Sequence, residues 1–194
     1  MSAPFPRELD PLFRRMTLDD LDALISIEQV SFPTPWSIGT YQREITRGLY
    51  GSYWVVCPGQ NARTSAPPVL AYGGMWRTGE EAHITTIAVH PEWRRRGLGE
   101  WTLLNLINVA RTGGAEIVTL EVRDSNDAAI RLYGKLGFQM VGMRRGYYMD
   151  TKEDARLMTL FAVDQPATWR RLLQERIAVE QRNGPPPDRP PAGA

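Results

Sequence analysis

Cysteine and histidine are scarce in this 194-residue chain, and their scarcity excludes two kinds of site. A single cysteine, Cys57, cannot form a disulfide within the chain. Only His83 and His90 accompany it, so there is no His/Cys cluster at the spacing that metal ligands require. We therefore expect neither a disulfide framework nor a structural or catalytic metal.

The chain also lacks an excess of charge of one sign and a long apolar run. Its 23 basic side chains are balanced by 22 acidic ones, whereas a general nucleic-acid binder carries a strong basic excess. Nowhere do about 18 apolar residues follow one another, the length that spans a membrane. Residues 1–15 have prolines and mixed charges instead of the apolar stretch of a signal peptide. These absences predict a cytoplasmic protein that binds neither nucleic acid nor membrane.

The length and the 42% hydrophobic fraction predict one globular domain with flanking segments. Residues 183–194 contain five of the 15 prolines and no large apolar side chain, a composition typical of a disordered tail. Before them, Trp169, Leu172, Leu173 and Ile177 fall on one face of a predicted amphipathic helix. The predicted division is an N-terminal extension (1–11), a central globular domain (12–165), the amphipathic helix (166–182) and the tail (183–194).

Hydrophobic periodicity and capping residues predict alternating helices and strands between these ends. Thr17, Ser37 and Ser125 are suitable N-caps for three of the helices. The order is α-α-β-β-β-α-β-α-β-β-α, which predicts a mixed α/β sheet with helices on both faces. The predicted helices cover 18–32, 38–47, 97–112, 126–136 and 167–181, and the predicted strands cover 51–57, 69–77, 81–89, 115–123, 138–148 and 157–163.

A glycine-containing turn joins the strand that ends at Val89 to the next helix. In this turn, residues 94–99 read Arg-Arg-Arg-Gly-Leu-Gly. Glycines permit close approach of the backbone, the first amides of a helix have no helical partner, and the helix dipole favours an anion there. The spacing fits neither a Walker loop nor a dinucleotide fingerprint. A tight strand-to-helix turn also needs glycine for steric reasons, so both readings stay open at this point.

The same turn matches the Arg/Gln-x-x-Gly-x-Gly/Ala signature of the GNAT N-acetyltransferase superfamily. Three further segments resemble that superfamily, and in particular its RimI-type protein N-terminal acetyltransferases. These segments are IEQVSFPTPWS (27–37), LEVRDSNDAAIRLYGKLGF (120–138) and RRGYYMDTKEDARLM (144–158). The resemblance extends over about residues 12–163.

The resemblance implies a GNAT fold, in which a mixed, mostly antiparallel sheet is splayed open to bind acetyl-CoA as co-substrate. It assigns main-chain contacts with the pantetheine arm to Ile87, Ala88 and Val89. It assigns the pyrophosphate to Arg94, Arg95, Arg96, Gly97, Leu98 and Gly99. Asn126 would contact the cofactor near the thioester, and its alternative role is to cap the helix that begins there.

Two residues are candidates for the proton transfers. Strand alternation places Glu121 on the face of Ile117, Thr119 and Arg123, so its carboxylate leaves the sheet on that side. The resemblance implies that Glu121 is the general base, whereas an ordinary sheet glutamate would pair with Arg123 or another arginine. Tyr133 shares a helical face with Asn126. The resemblance makes Tyr133 the general acid, and its alternative role is core packing.

The resemblance places the acceptor among aromatic residues. The candidates are Phe32, Pro35 and Trp36 in the loop after the first helix, and Tyr147 and Tyr148 near the last hairpin. The implied reaction is acetylation of a protein N-terminal α-amine, most like that of the alanine terminus of a small-subunit ribosomal protein.

Two other functions stay open at this point. One is a GNAT enzyme that acetylates a lysine side chain or a small amine, and the other is an acyl-CoA-binding interaction module without turnover. The C-terminal helix is a candidate for homodimerisation or partner docking. Arg156 departs from the hydrophobic pattern of the related last strand, which leaves the pairing of that strand open.

Overall fold

The computed structural model describes residues 4–63 and 65–182, and in this part of the chain seven strands form one sheet. The strands are β1 (Leu12–Arg15), β2 (Gly51–Cys57), β3 (Ala71–Thr78), β4 (Glu81–Val89), β5 (Ile117–Arg123), β6 (Gln139–Tyr148) and β7 (Glu153–Leu160). The α-helices are α1 (Leu21–Ser31), α2 (Ile38–Arg47), α3 (Leu98–Thr112), α4 (Asp127–Lys135) and α5 (Pro166–Gln181). The predicted proline-rich tail, 183–194, lies outside the described residues.

The strand order is β1-β2-β3-β4-β5-β7-β6, and the predicted mixed, mostly antiparallel sheet is confirmed. Of the pairs in the described sheet, only β4 and β5 run parallel. Helix α3 provides the crossover that a parallel pair requires. Strand β1 was not predicted, because its four residues, Leu-Phe-Arg-Arg, are too few and too basic to show an alternating pattern.

Several predicted boundaries were wrong, and the largest differences are in the first helix and the last strand. The first predicted helix begins with a 3₁₀ turn, Leu18–Asp20, before α1 starts at Leu21. The last strand covers Glu153–Leu160 instead of residues 157–163, so it includes Arg156. Arg156 does not disrupt the strand, because its Nε donates a hydrogen bond to Asp124 just beyond β5. Strand β7 pairs with β5 on one side and with β6 on the other.

The parallel ladder between β4 and β5 is short, and this opens the sheet. It runs from the pair Glu81 and Ile117 to the pair Ile84 and Leu120. Beyond Ile84, β4 continues to Val89 along β3 alone, while β5 remains paired with β7. A gap between two neighbouring strands is thereby built into the middle of the sheet.

The two faces of the sheet carry separate hydrophobic cores. On one face, β5 contributes Val118, Leu120 and Val122 to a core shared with α3, α4 and α5. On the other, α1 and α2 form a smaller core with β2 and β3. The alternation of β5 therefore points Glu121 away from the α3 core, as the sequence predicted.

The C-terminal helix belongs to the α3 core. Leu172 and Val179 of α5 are fully buried there, and Trp101 Nε1 of α3 donates a 2.7 Å hydrogen bond to Glu180 Oε1. The predicted apolar face was only partly right, because Leu173 and Ile177 are 39% and 42% exposed. No helix in the described ranges combines the length and the apolar character needed to cross a bilayer.

The N-terminal segment packs against the same helices. Phe5 and Leu9 are buried in the α3 core, and the ring of Phe5 lies 5.9 Å from that of Trp101. Arg7 donates to the main-chain carbonyl of Glu180. The described parts of both flanking segments therefore share the core of the central domain.

The packing of α5 predicts different consequences for two adjacent leucines. Leu172→Ala removes a fully buried side chain and should lower the free energy of unfolding by about 2–4 kcal/mol. Leu173→Ala, at an exposed position of the same helix, should lower it by less than about 1 kcal/mol. Urea unfolding of both variants measures the difference, and equal effects would contradict the burial of α5.

Candidate active site

A cavity of about 590 Å³ opens where β4 and β5 diverge. It is bounded by the loop after α1, by β4 and β5, by the start of α4 and by the turn between β6 and β7. The predicted site residues that line it are Phe32, Trp36, Ile87, Glu121, Asn126, Tyr133, Tyr147 and Tyr148. The structure thus brings together the predicted catalytic residues and most of the predicted acceptor residues.

Glu121 projects from β5 into this cavity, and its side chain is only 5% exposed. His83 Nε2 lies 2.8 Å from its Oε2, and Arg144 Nη1 lies 3.0 Å from its Oε1. The expected alternative partner, Arg123, pairs instead with Asp150. Burial by itself would raise the pKa of Glu121. The hydrogen bond from His83 and the charges of His83 and Arg144 outweigh burial and hold the pKa below its ordinary value.

Tyr133 reaches the same cavity from α4, and its ring packs 5.7 Å from that of Phe138. It is also buried in the α3 core, so Tyr133 both packs in the core and lines the cavity. Burial, reinforced by the neighbouring Tyr148, raises the pKa of Tyr133 well above its ordinary value. The phenol therefore holds its proton firmly at neutral pH, as a general acid must before it donates.

Asn126 serves as the N-cap of α4, because its side chain accepts a 3.1 Å hydrogen bond from the amide of Ala129. The prediction that Ser125 caps this helix was wrong, because the N-cap is Asn126; the Ser125 amide donates to Glu153 Oε1. Capping and ligand contact are compatible at Asn126, because the cap uses the side-chain oxygen and the residue also lines the cavity.

A buried carboxylate, Glu28, holds the loop that follows α1. Its oxygens accept hydrogen bonds from the Trp36 amide at 2.9 Å, from the Tyr41 hydroxyl at 3.0 Å and from the Tyr72 hydroxyl. Burial raises the pKa of Glu28, and the first two of these bonds partly oppose the rise. Trp36 is half-buried against the ring of Tyr41, which fixes one wall of the cavity.

Of the residues predicted in this loop, Phe32 and Trp36 line the cavity and Pro35 does not. Phe32 packs against the smaller core, which α1 and α2 form with β2 and β3, and it also lines the cavity. Pro35 is exposed and lies outside the lining, and Thr34 lines the cavity in its place.

The opposite wall is the end of β6 and the turn that follows it. The rings of Tyr147 and Tyr148 meet edge to face at 5.1 Å, and the guanidinium of Arg123 lies 3.9 Å from the centre of the Tyr148 ring. Arg123 also pairs with Asp150 at 2.6 Å. Thr34 of the facing loop donates to the same carboxylate at 3.2 Å. A hydrogen bond therefore links the two walls across the mouth of the cavity.

The glycine turn lies beside this cavity and not in its lining. Gly97 has φ +84°, and a Cβ at this position would approach Val179 Cγ1 to 3.0 Å, so glycine is required there. Gly97 is also the N-cap of α3 and supplies no side-chain cap. The first amides of α3 therefore keep the anion-binding capacity that the sequence predicted.

The arginines of the turn have protein partners. Arg94 donates to the Val89 carbonyl at 3.1 Å and to Ser31 Oγ at 2.9 Å. Arg96 lies 4.4 Å from the centre of the Trp93 ring. Phosphate contacts by these side chains stay a prediction.

Several residues at the site were not predicted from the sequence. His83, Arg144 and Glu28 are separated from Glu121 by tens of residues, and only the strand register brings the first two to its carboxylate. His83 pairs with Thr119 across β4 and β5, a register that no local sequence pattern indicates. In the described residues, no three His, Cys, Asp or Glu side chains are grouped so that they could hold a metal ion.

The role of Glu28 predicts a stability difference within α1. Glu28→Ala leaves three buried donors without their acceptor, so the free energy of unfolding should fall by about 3 kcal/mol or more. Gln29→Ala, at the next and exposed position, should change it by less than about 0.5 kcal/mol. Urea unfolding compares them. If Glu28→Ala were no more harmful than Gln29→Ala, Glu28 would not hold the loop.

Comparison with known proteins places this geometry in context. The model of the acetyltransferase (GNAT) family matches residues 21–138. The [ribosomal protein bS18]-alanine N-acetyltransferase of Escherichia coli (strain K12) is 36% identical over 73% of this chain and 90% of its own. The N-alpha-acetyltransferase RimI of Mycobacterium tuberculosis is 38% identical over 64% of this chain and 74% of its own.

A solved structure shows the same architecture. The crystal structure of the ribosomal-protein-S18-alanine N-acetyltransferase from Escherichia coli superposes with a TM-score of 0.67. It is 33% identical and aligns with 78% of this chain and 94% of its own.

Proposed function

This chain belongs to the GNAT family of acetyltransferases, and we propose that it transfers the acetyl group of acetyl-CoA to the N-terminal α-amine of a protein. The observation that carries the proposal is the placement of Glu121. Its ionised carboxylate lies at the base of a cavity whose outer walls are the Phe32–Trp36 loop and the tyrosines of β6. An extended chain that ends in an amine would enter between these walls, displacing the hydrogen bond from Thr34 to Asp150 that joins them.

The chemistry of the acceptor supports an α-amine. An α-amine has a pKa of about 8, whereas a lysine side chain has one of about 10.4. The α-amine is therefore neutral far more often at pH 7, and it asks less of a base whose own pKa is lowered. Glu121 fits this weaker demand better than it fits the deprotonation of lysine.

The sheet gap and the glycine turn support acetyl-CoA as co-substrate, which supplies the acetyl group as a thioester. Past Ile84, main-chain groups of β4 that face β5 are not engaged in a strand ladder, and Ile87, Ala88 and Val89 lie in that stretch. The uncapped amides at the start of α3 suit a pyrophosphate. Gly97 and Gly99 keep side chains away from the turn.

The roles of the two titratable residues follow from their environments. A carboxylate oxygen of Glu121 accepts the proton that the amine loses, directly or through water. The hydroxyl of Tyr133, kept protonated by its raised pKa, donates to the departing sulfur. The high pKa makes this donation more uphill than for an ordinary phenol, so Tyr133 must be held close to the sulfur.

The names of the relatives support a narrower acceptor. The Escherichia coli relatives are alanine N-acetyltransferases of ribosomal protein bS18, and we propose an N-terminal alanine of that ribosomal protein as the acceptor here. The small methyl side chain of alanine suits a cavity bounded by several aromatic rings. Homodimerisation or partner docking through α5 stays a separate proposal, for which the exposed Leu173 and Ile177 are the available apolar positions.

The direct test is acetyl-CoA turnover with short peptides that differ at the first residue, beside Nα-blocked lysine peptides and polyamines. We expect acetylation of free α-amines, fastest with alanine first. Faster acetylation of blocked lysine peptides or polyamines would overturn the acceptor assignment, and acyl-CoA binding without turnover of any amine would favour an interaction module.

Removal of the two titratable groups should slow turnover without loss of the fold. Glu121→Gln and Tyr133→Phe should each lower kcat by about 10²-fold or more, with little change in acetyl-CoA affinity for Tyr133→Phe. Tyr50→Phe, at a 63% exposed tyrosine, serves as the control. Steady-state kinetics with circular dichroism of each variant measures this, and near wild-type kcat in Tyr133→Phe would remove it as the acid.

A further inference from the structure

We propose that Thr119 and Glu81 are positioning residues that keep a hydrogen on Nδ1 of His83, so that Nε2 of the same ring donates to Glu121. The proposal rests on the proposed function, because it concerns the carboxylate assigned as base. It adds two residues, one buried and one at the surface, that are not among the residues lining the cavity.

The four side chains form one continuous series of hydrogen bonds across β4 and β5. Glu121 Oε2 lies 2.8 Å from His83 Nε2, and His83 Nδ1 lies 2.9 Å from Thr119 Oγ1. Thr119 Oγ1 lies 3.0 Å from Glu81 Oε1. Glu81 is exposed, whereas Thr119 is buried, so the series runs from the cavity to the surface.

Counting donors along this series assigns the hydrogens. A hydroxyl donates one hydrogen, and an ionised carboxylate only accepts. The Thr119 hydrogen must therefore point to Glu81, which leaves Nδ1 of His83 as the donor to Thr119. Because Glu121 is also ionised, Nε2 must donate as well. The network thus places hydrogens on both ring nitrogens of His83.

The charges around the ring agree with this assignment. With both hydrogens present, the cations His83 and Arg144 balance the anions Glu121 and Glu81. Among the described residues, the Tyr147 and Tyr148 hydroxyls of β6 also interact with Glu121, and Arg123 on the same face of β5 is balanced by Asp150 and Glu153.

Two further residues that line the cavity leave this balance unchanged. Trp76 of β3, which pairs with His83 across the sheet, is uncharged. Glu28 of α1 directs its oxygens to the Trp36 amide and to two tyrosine hydroxyls.

A doubly protonated ring fixed by Thr119 holds Glu121 ionised despite its burial, and it leaves the remaining lone pairs of the carboxylate for the acceptor. Without Thr119, Nδ1 loses its acceptor and the ring can turn or lose a hydrogen. Burial of Glu121 is then less opposed, so a larger fraction of Glu121 is protonated in mildly acidic solution.

The hydrogens can be observed directly, without any turnover. We would record ¹⁵N spectra of the two histidines of the full chain at pH 6.5, with the His83 signals assigned by their loss in His83→Gln. Both ring nitrogens of His83 should give protonated signals in the wild type, and Thr119→Val should convert one of them to an unprotonated signal. A single unprotonated nitrogen in the wild type would overturn the proposal.

Kinetics tests whether this arrangement matters to the base. The ratio of kcat/KM in Thr119→Val to that in the wild type cancels the titration of the peptide amine. It should fall by about two- to threefold between pH 8 and pH 5 for a rise of about one unit in the pKa of Glu121, with a limit of about tenfold at a pH below both pKa values. A ratio that is low but constant with pH would show a purely structural role and overturn the proposal.

Matched variants separate the two residues. Thr119→Ser retains the hydroxyl and should restore the wild-type profile. Glu81→Gln should show a smaller fall in the same direction, because the amide oxygen still accepts but the charge is lost. Glu80→Gln removes an adjacent, exposed charge and should leave the ratio flat. Identical profiles for Glu80→Gln and Glu81→Gln would contradict the assigned role of Glu81.

The outcomes distinguish the proposal from the function on which it rests. Acetylation of α-amines with an unshifted Thr119→Val profile would contradict only the positioning role. Protonated His83 signals without acetylation of any α-amine would contradict the proposed function and leave the network standing.

Discussion

The parallel strands β4 and β5 share a ladder that ends at Ile84 and Leu120. Past this point β4 stays with β3, and β5 stays with β7, so the main chain of one strand faces a gap instead of a partner. Backbone groups left without a partner inside a protein are costly, which makes a ligand that can satisfy them the natural occupant. The gap also lets the side chains of β5 that face α1 and α2 reach a cavity.

Two buried carboxylates, Glu28 and Glu121, shape the cavity in different ways. Glu28 meets an amide and two tyrosine hydroxyls, all neutral donors, so burial prevails and raises its pKa. Glu121 accepts a hydrogen bond from His83 and lies beside Arg144, and these interactions outweigh burial and lower its pKa. The same residue type is therefore a hydrogen-bond acceptor for one wall of the cavity at Glu28 and the proposed base at Glu121.

Much of this could be predicted from the sequence because it depends on local pattern. Alternation in β5 placed Glu121 on the correct face, and the glycine turn before α3 was identified from residues 94–99. Contacts set by strand register could not be predicted, since neither the pairing of His83 with Thr119 nor the approach of Arg144 leaves a local signal. The short strand β1 and the exposure of Leu173 were not predicted for a related reason. A few residues that mix apolar and charged side chains are compatible with several structures.

The central claim is that an acceptor α-amine enters between the Phe32–Trp36 loop and the tyrosines of β6 and meets Glu121. A crystal structure with a conjugate of CoA and an alanine-first peptide, joined through the acetyl group at the α-nitrogen, tests it most directly. The account predicts the α-nitrogen within hydrogen-bond or one-water distance of Glu121, the sulfur beside Tyr133 and the pyrophosphate on the first turn of α3. A conjugate bound with its peptide outside this passage, or with Glu121 distant from the nitrogen, would contradict it.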